Sequence, residues 1–149
     1  MKFGNKKNNE LNKKILIAIT IIALILILSA ILLILSSKKS NEKKLESKLS
    51  KMGASFYENF YYERINSSET EKNLLLSTFE KTGIKIDLQN LEQYNNGEFK
   101  DEIQNFTNSL TNEKCNKTKT KVTIYPKSPY GKTDYKIETE LSCGFDNKN

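Results

Sequence analysis

Apolar residues follow several different rhythms along this 149-residue chain. From Ile15 to Ser36 they are nearly continuous, 19 of 22 positions, and the exceptions Thr20, Ser29 and Ser36 are all small. At ~1.5 Å per residue this run makes a helix of ~33 Å, enough to cross a hydrocarbon core of ~30 Å. It is apolar on every face, which predicts a transmembrane helix and not an amphipathic surface helix. It is not a core helix, because only 33 of the 113 residues from 37 to 149 are apolar and could not cover it. A cleaved signal peptide has an apolar stretch of ~7–15 residues ending at small residues. Here the one such point, Leu28-Ser29-Ala30, is followed by five more aliphatic residues, and Ile31 stands where a lipoprotein needs cysteine. The run reads as an uncleaved signal-anchor.

Beyond it the spacing becomes helical. Leu45, Leu49, Met52, Phe56 and Phe60 recur at intervals of three and four, one apolar face of a helix over 41–65. No Pro or Gly separates this stretch from the apolar run before Gly53, so the two can form one helix. Phe56, Tyr57, Phe60, Tyr61 and Tyr62 cluster at its end, either as core packing with exposed tyrosine edges or as a recognition patch. Ser68-Glu69-Thr70-Glu71 is a capping box that predicts a second helix, with Leu74, Leu75, Leu76 and Phe79 on its apolar side. Lys81 suits its last turn, and Gly83 suits a left-handed terminator. Ile84-Lys85-Ile86 alternates as a short strand, and Asp87 can cap a helix carrying Leu88, Leu91 and Tyr94. Asn95-Asn96-Gly97 is a turn signal. Phe99, Ile103, Phe106 and Leu110 form a third helical stripe.

The last third changes to period two. Val122 and Ile124 oppose Lys119 and Lys121, and Tyr135, Ile137, Thr139 and Leu141 alternate with Lys136, Glu138 and Glu140. Ser128-Pro129-Tyr130-Gly131 fits a type I turn between the strands. A hairpin over 119–142 follows, in a register that sets Val122 against Ile137 and Ile124 against Tyr135. That register also pairs Lys121 with Glu138 and Lys119 with Glu140 on the outer face, so cross-strand ion pairs account for the lysine row. Cys115 and Cys143, the two cysteines of the chain, bracket this hairpin. They read as one disulfide; the alternative is two buried thiols in a reducing compartment. Their spacing and the lack of histidine argue against a metal site.

Charge is placed in blocks. Residues 1–14 and 37–51 each carry +4, residues 52–113 carry −6, and residues 114–149 carry +4. The basic blocks flanking the apolar run suit anionic lipid headgroups. One arginine, Arg64, stands against 23 lysines. Arginine is the usual bidentate reader of bases and phosphates, so nucleic acid is not an expected partner. Without histidine the commonest general base is missing, and no phosphate-loop, dinucleotide, nucleophile-elbow or zinc-protease motif occurs. The expectation is a non-enzyme with no cofactor. Three glycosylation sequons, at Asn66, Asn105 and Asn116, are as many as chance yields in so Asn-rich a chain.

The predicted fold is α+β: an N-terminal transmembrane helix continuing into an amphipathic helix, then a small helical segment and a C-terminal antiparallel hairpin or sheet. The predicted boundaries are a basic tail 1–14, a span 15–36, a juxtamembrane helix 37–67 and a small domain 68–149. Lysines flank both ends of the span, so they do not orient it. The short basic tail, the long C-terminal domain and the expected disulfide favour the N-terminus in the cytoplasm and residues 37–149 outside. The expected protein is a single-pass envelope protein with an interaction or structural domain. Its partners are the bilayer and another envelope or membrane protein; the oligomeric state is left open. Tyr57, Tyr61, Tyr62, Tyr125 and Tyr130 are the candidate contact residues.

This layout resembles that of pilins and pseudopilins, an apolar helix running into an amphipathic one and then a β-rich part with a disulfide loop. The resemblance is one of layout. Pilin leaders cleave at a glycine beside an apolar start, with a glutamate five residues into the mature chain. Here Asn5 and a polar stretch follow Gly4, Glu10 lies six residues on, and apolar residues begin at Ile15. A third reading is an accessory subunit whose span packs against a larger membrane protein.

Overall fold

A computed structural model describes the backbone of residues 4–145 and the side chains of residues 13–145. Of the basic tail expected over 1–14, the side chains of residues 1–12 lie outside the described residues. The chain is α+β and forms two compact units, Met1–Lys39 and Ser40–Asn149. Helix α1 (Gly4–Phe56) contributes to both.

In the first unit every isoleucine and leucine from Ile15 to Leu35 is exposed, from 47 % at Ile31 to 68 % at Leu33. No polar group along this stretch is left without a partner by its side chain. The Thr20, Ser29 and Ser36 hydroxyls donate to the carbonyls of Ile17, Leu26 and Leu33 at 2.8–2.9 Å. Such back-bonding lets a hydroxyl enter hydrocarbon at low cost. This is the one helix among the described residues that is long and apolar enough to cross a membrane.

The second unit is built on the amphipathic part of α1. Leu45, Leu49 and Met52 are buried, as the stripe requires. After Phe56 the helix widens into a π-helical turn, Tyr57–Tyr61, and ends in a short α-helical turn, α2 (Tyr62–Arg64). The expected stripe is corrected at its end. Tyr57 is fully buried, while Phe56 and Phe60 are half-buried.

Helix α3 (Glu69–Thr78) opens with the expected capping box: the Glu71 N–H donates to the Ser68 hydroxyl, and the Ser68 N–H donates to the Glu71 carboxylate. Three consecutive leucines cannot share one helix face, and only Leu76 is buried; Leu74 is 69 % exposed. The helix also stops before Lys81. Gly83, at φ 69°, takes the left-handed conformation, and a Cβ there would strike the side chains of Thr123 and Tyr125. The chain then enters β1 (Ile84–Asp87). The Asp87 carboxylate accepts from the Asn90 N–H at 2.8 Å and caps α4 (Leu88–Gln93).

The third helical stripe is shorter than its periodicity suggests. Helix α5 (Lys100–Gln104) buries Ile103, and Phe106 is buried just past its end. The chain then leaves the helix to pair β2 (Thr107–Asn108) with β3 (Glu113–Lys114), and Leu110 is left exposed. Two long-range bonds hold this departure. The Cys115 N–H donates to the Phe106 carbonyl at 2.9 Å, and the buried Asn108 side chain donates to the Cys143 carbonyl at 3.1 Å. Cys115 and Cys143 form a disulfide, with Cα atoms 4.1 Å apart.

Strands β4 (Lys121–Pro126) and β5 (Tyr135–Glu140) make the expected hairpin, and β1 pairs with the other edge of β4. The antiparallel order β1-β4-β5 makes β4 central. The register differs by two residues from the expected one: Ile124 faces Ile137, Val122 faces Thr139 and Lys121 faces Glu140. The connection is the reason. Two turns in series replace the single one at Ser128–Gly131. The Tyr130 N–H closes the first on the Lys127 carbonyl, and the Asp134 N–H closes the second on the Gly131 carbonyl. The longer loop moves the centre of the hairpin by one residue. An even slip preserves the faces, so Val122 and Ile124 still point to the core. It does exchange partners: Lys121 pairs with Glu140 at 2.9 Å, and Lys119 lies outside the strand.

Helix α1 lies against this sheet through Gly53. A Cβ there would come within 2.6 and 2.7 Å of the two Val122 methyl carbons. Gly53→Ala is therefore expected to destabilise. Forcing a methyl into a packed contact costs ~1–3 kcal/mol, and the gain in helix propensity returns ~1. Urea unfolding of the detergent-solubilised chain should show a lower midpoint, partly restored by Val122→Ala in the same background. An unchanged midpoint for Gly53→Ala would show that the contact yields freely. Reduction is expected to loosen a different region. The disulfide closes a loop worth ~3.5 kcal/mol in the chain-entropy model. Hydrogen exchange should rise across 106–120 and 141–145 far more than across 45–76, and equal protection in both redox forms would count against that.

Candidate functional site

The five candidate tyrosines do not form one patch. Tyr57, Tyr61 and Tyr62 meet around the π-helical turn, where Tyr135 from β5 joins them. Tyr57 stacks on Tyr61 with ring centroids 5.9 Å apart and meets Tyr135 edge-on at 5.2 Å. Tyr125 and Tyr130 lie instead near Glu80. The Tyr130 hydroxyl donates to Glu80 at 3.3 Å, and Tyr125 lines a shallow depression of about 250 Å³ with Glu80, Lys81, Lys127, Lys136 and Glu138. Tyr61, Tyr62, Tyr125 and Tyr130 keep partly exposed edges. Tyr57 does not: at 0 % exposure it is a core residue and offers no contact surface.

The tyrosine cluster has unusual electrostatics. The Tyr57 hydroxyl is buried and has no hydrogen-bond partner among the described residues. Burial, followed by the neighbouring hydroxyls of Tyr62, Tyr61 and Tyr135 and the Asp134 carboxylate, pushes its ionisation well above the usual range. Burial likewise raises Tyr61. Tyr135 is pushed up to about 12 by burial and by the Glu58 carboxylate that accepts its hydrogen bond.

A groove that the sequence reading missed lies on the other side of the π-helical turn. Asn59, Phe60 and Arg64 form one wall. Gln93, Tyr94, Asn95 and Asn96 form the other, around a volume of about 520 Å³. A recess of about 290 Å³ against Phe56 and Asn90 shares Phe60, Gln93, Tyr94 and Asn95 with it. Both walls have uncommon backbone. One is the π-helical turn; the other is a run of left-handed residues, Asn95, Asn96 and Gly97, at φ 46°, 57° and 87°. Such features tend to gather at functional sites. An aromatic ladder ties the walls together: Phe56 to Phe60 at 4.9 Å, Phe60 edge-on to Tyr94 at 5.7 Å, and Tyr94 stacked on Phe99 at 5.6 Å. The Arg64 guanidinium sits 3.9 Å above the Phe60 ring. Two signals for this groove stood in the sequence, the Asn95-Asn96-Gly97 turn and the lone arginine, but nothing in their spacing brings them together.

No protein-family model, curated protein or solved structure matches this chain. Among the described residues no group of histidine, cysteine, aspartate or glutamate side chains could hold a metal ion.

The raised tyrosines set an expected pH dependence. Each ionises less readily in the folded chain than at the usual 10. Their contribution to stability is complete below pH 10 and is lost as pH rises through the folded values, about 12 for Tyr135. Phenolate absorbance should therefore rise late, together with the loss of tertiary structure. Tyr57→Phe removes an unpartnered buried hydroxyl. It should leave stability equal or raise it by ~1 kcal/mol, whereas Tyr135→Phe should lower it. A large loss in Tyr57→Phe would reveal a partner for that hydroxyl.

Proposed function

We propose that this chain is a single-pass membrane protein of the cell envelope, with residues 1–14 in the cytoplasm and residues 37–149 forming a non-catalytic interaction or structural domain outside. The observation that carries this reading is the helix whose aliphatic side chains from Ile15 to Leu35 are all exposed. In water such a surface has no counterpart in a folded monomer; a bilayer supplies one. The disulfide supports an oxidising side for the domain, because such bonds persist outside the cytosol and rarely within it. The domain offers a groove and half-buried tyrosine edges as binding features.

A pilin-like subunit is the second reading. It is favoured by one helix, Gly4–Phe56, that carries both the apolar run and the amphipathic stripe, and by a β-rich part closed with a disulfide. Processing after Gly4, seen by mass spectrometry of the membrane-extracted chain, would support it; an intact N-terminus would favour the simple anchor.

Two measurements test the main reading. High-pH carbonate should leave the protein in the membrane pellet, and recovery in the soluble fraction would exclude an anchor. A membrane-impermeant maleimide on intact cells should label Cys115 and Cys143 only after reduction and without lysis. Labelling that requires lysis would place the domain in the cytoplasm.

A further inference from the structure

The groove between the π-helical turn and the Asn95–Gly97 turn has a lining specific enough to indicate what it holds. Its charge comes from one residue. Arg64 makes no ion pair and no side-chain hydrogen bond among the described residues, and its guanidinium carbon sits 3.9 Å from the centre of the Phe60 ring. An unpaired guanidinium over an aromatic ring keeps its N–H groups available as a two-pronged donor, the geometry that matches a carboxylate. No carboxylate lines the groove. The carboxylates adjacent to lining residues in sequence are engaged elsewhere, Glu58 by the Tyr135 hydroxyl, Glu63 by Lys132 and Glu92 by Lys117, and Glu98 accepts from the Asn95 amide at 2.6 Å.

The remaining polar lining is amide. The Gln93 and Asn96 side chains make no hydrogen bonds within the described residues, and Asn59 and Asn95 use only their NH2 groups, so their carbonyl oxygens remain open. Each amide offers both a donor and an acceptor, and so does each hydroxyl of a sugar. A phosphate chain fits poorly, since it would need several cations and the lining has one. A peptide added as a β-strand also fits poorly. Peptides in this mode add to an exposed strand edge and seat alternate side chains in apolar pockets. No residue of the groove belongs to a strand.

We propose that this groove binds an acidic saccharide, a short glycan whose carboxylate is taken by Arg64 and whose hydroxyls are taken by the amides of Asn59, Gln93, Asn95 and Asn96. The volume of about 520 Å³ lies within the ~300–1,000 Å³ usual for small-ligand sites. The proposal gives a ligand to the binding domain proposed above. It does not depend on which side of the membrane that domain faces.

The test uses the full chain in detergent with its disulfide intact. Binding of a galacturonic acid trimer is measured by calorimetry and by side-chain amide shifts in NMR. The neutral galactose trimer and an N-acetylated tripeptide with a free carboxylate are run beside it. The acid trimer should bind tightest and shift the amides of Gln93 and Asn96. Arg64→Gln should weaken it ~10–100-fold, the range for loss of a charge-assisted pair, and should leave the neutral trimer unaffected. Arg64→Lys should fall between, because it keeps the charge and loses the fork. Asn96→Gly, which suits the left-handed backbone, should weaken both saccharides without unfolding the chain. Equal binding of the two trimers, indifference to Arg64→Gln, or binding of the tripeptide alone would overturn the proposal. Because the chain is in detergent, such a failure is separate from the result of maleimide labelling on cells.

Discussion

The folded part of this protein depends on how closely the amphipathic stretch of α1 lies on strand β4. Gly53 and Val122 meet where neither could be larger. With the helix at that distance, Leu49 and Met52 on one side and Val122 and Ile124 on the other are fully or almost fully removed from water. The rest of the unit closes around this contact. Strand β1 covers one edge of β4 and β5 the other, so β4 makes ladder bonds on both sides. With so few apolar residues available, the distance between helix and sheet governs how much of each is buried. A glycine in mid-helix, unfavourable by itself, is kept for the approach it permits.

Local signals in the sequence were reliable where one residue sets one backbone feature. Ser68 and Glu71 form their capping box, Asp87 caps α4, and Gly83 and Asn95-Asn96-Gly97 take left-handed conformations. Alternation in 122–141 marked the hairpin and its core face correctly. Its register depended on the length of the loop, and a Pro-Gly pair is equally consistent with one turn or with two. Periodicity overestimated the helix at 99–110, because the pairing of Phe106 with Cys115 is a long-range constraint that no local pattern carries. The groove was hidden for a similar reason. Arg64 and Asn96 are far apart in the chain, and each by itself reads as ordinary surface.

The tyrosine cluster shows why a run of aromatic residues is ambiguous. Tyr57, Tyr61 and Tyr62 have the composition of a contact patch, yet the first is deeper in the core than any phenylalanine beside it. Tyr57 opens the π-helical turn and packs against Tyr61, Tyr62 and Tyr135. A contact patch would leave their hydroxyls in water. The structure instead buries a hydroxyl with no partner among the described residues, a loss of ~1–3 kcal/mol for a neutral polar group.

That loss needs an opposing gain, and the aromatic ladder supplies it. Beside the π-helical turn Phe56 and Phe60 pack on Tyr94, and Tyr94 in turn stacks on Phe99. Aromatic pairs contribute ~0.5–1.5 kcal/mol each beyond the area they bury, so a few of them offset one unpaired hydroxyl. The same ladder holds Tyr94 directly before Asn95 and Asn96, whose left-handed backbone orients their amides. It also provides the ring on which Arg64 rests. The π-helical turn thus has the buried tyrosine on one side and one wall of the groove on the other. A substitution that restored regular α-helical geometry at 57–61 would rotate Phe60 and Arg64 away from Tyr94 and dismantle the groove.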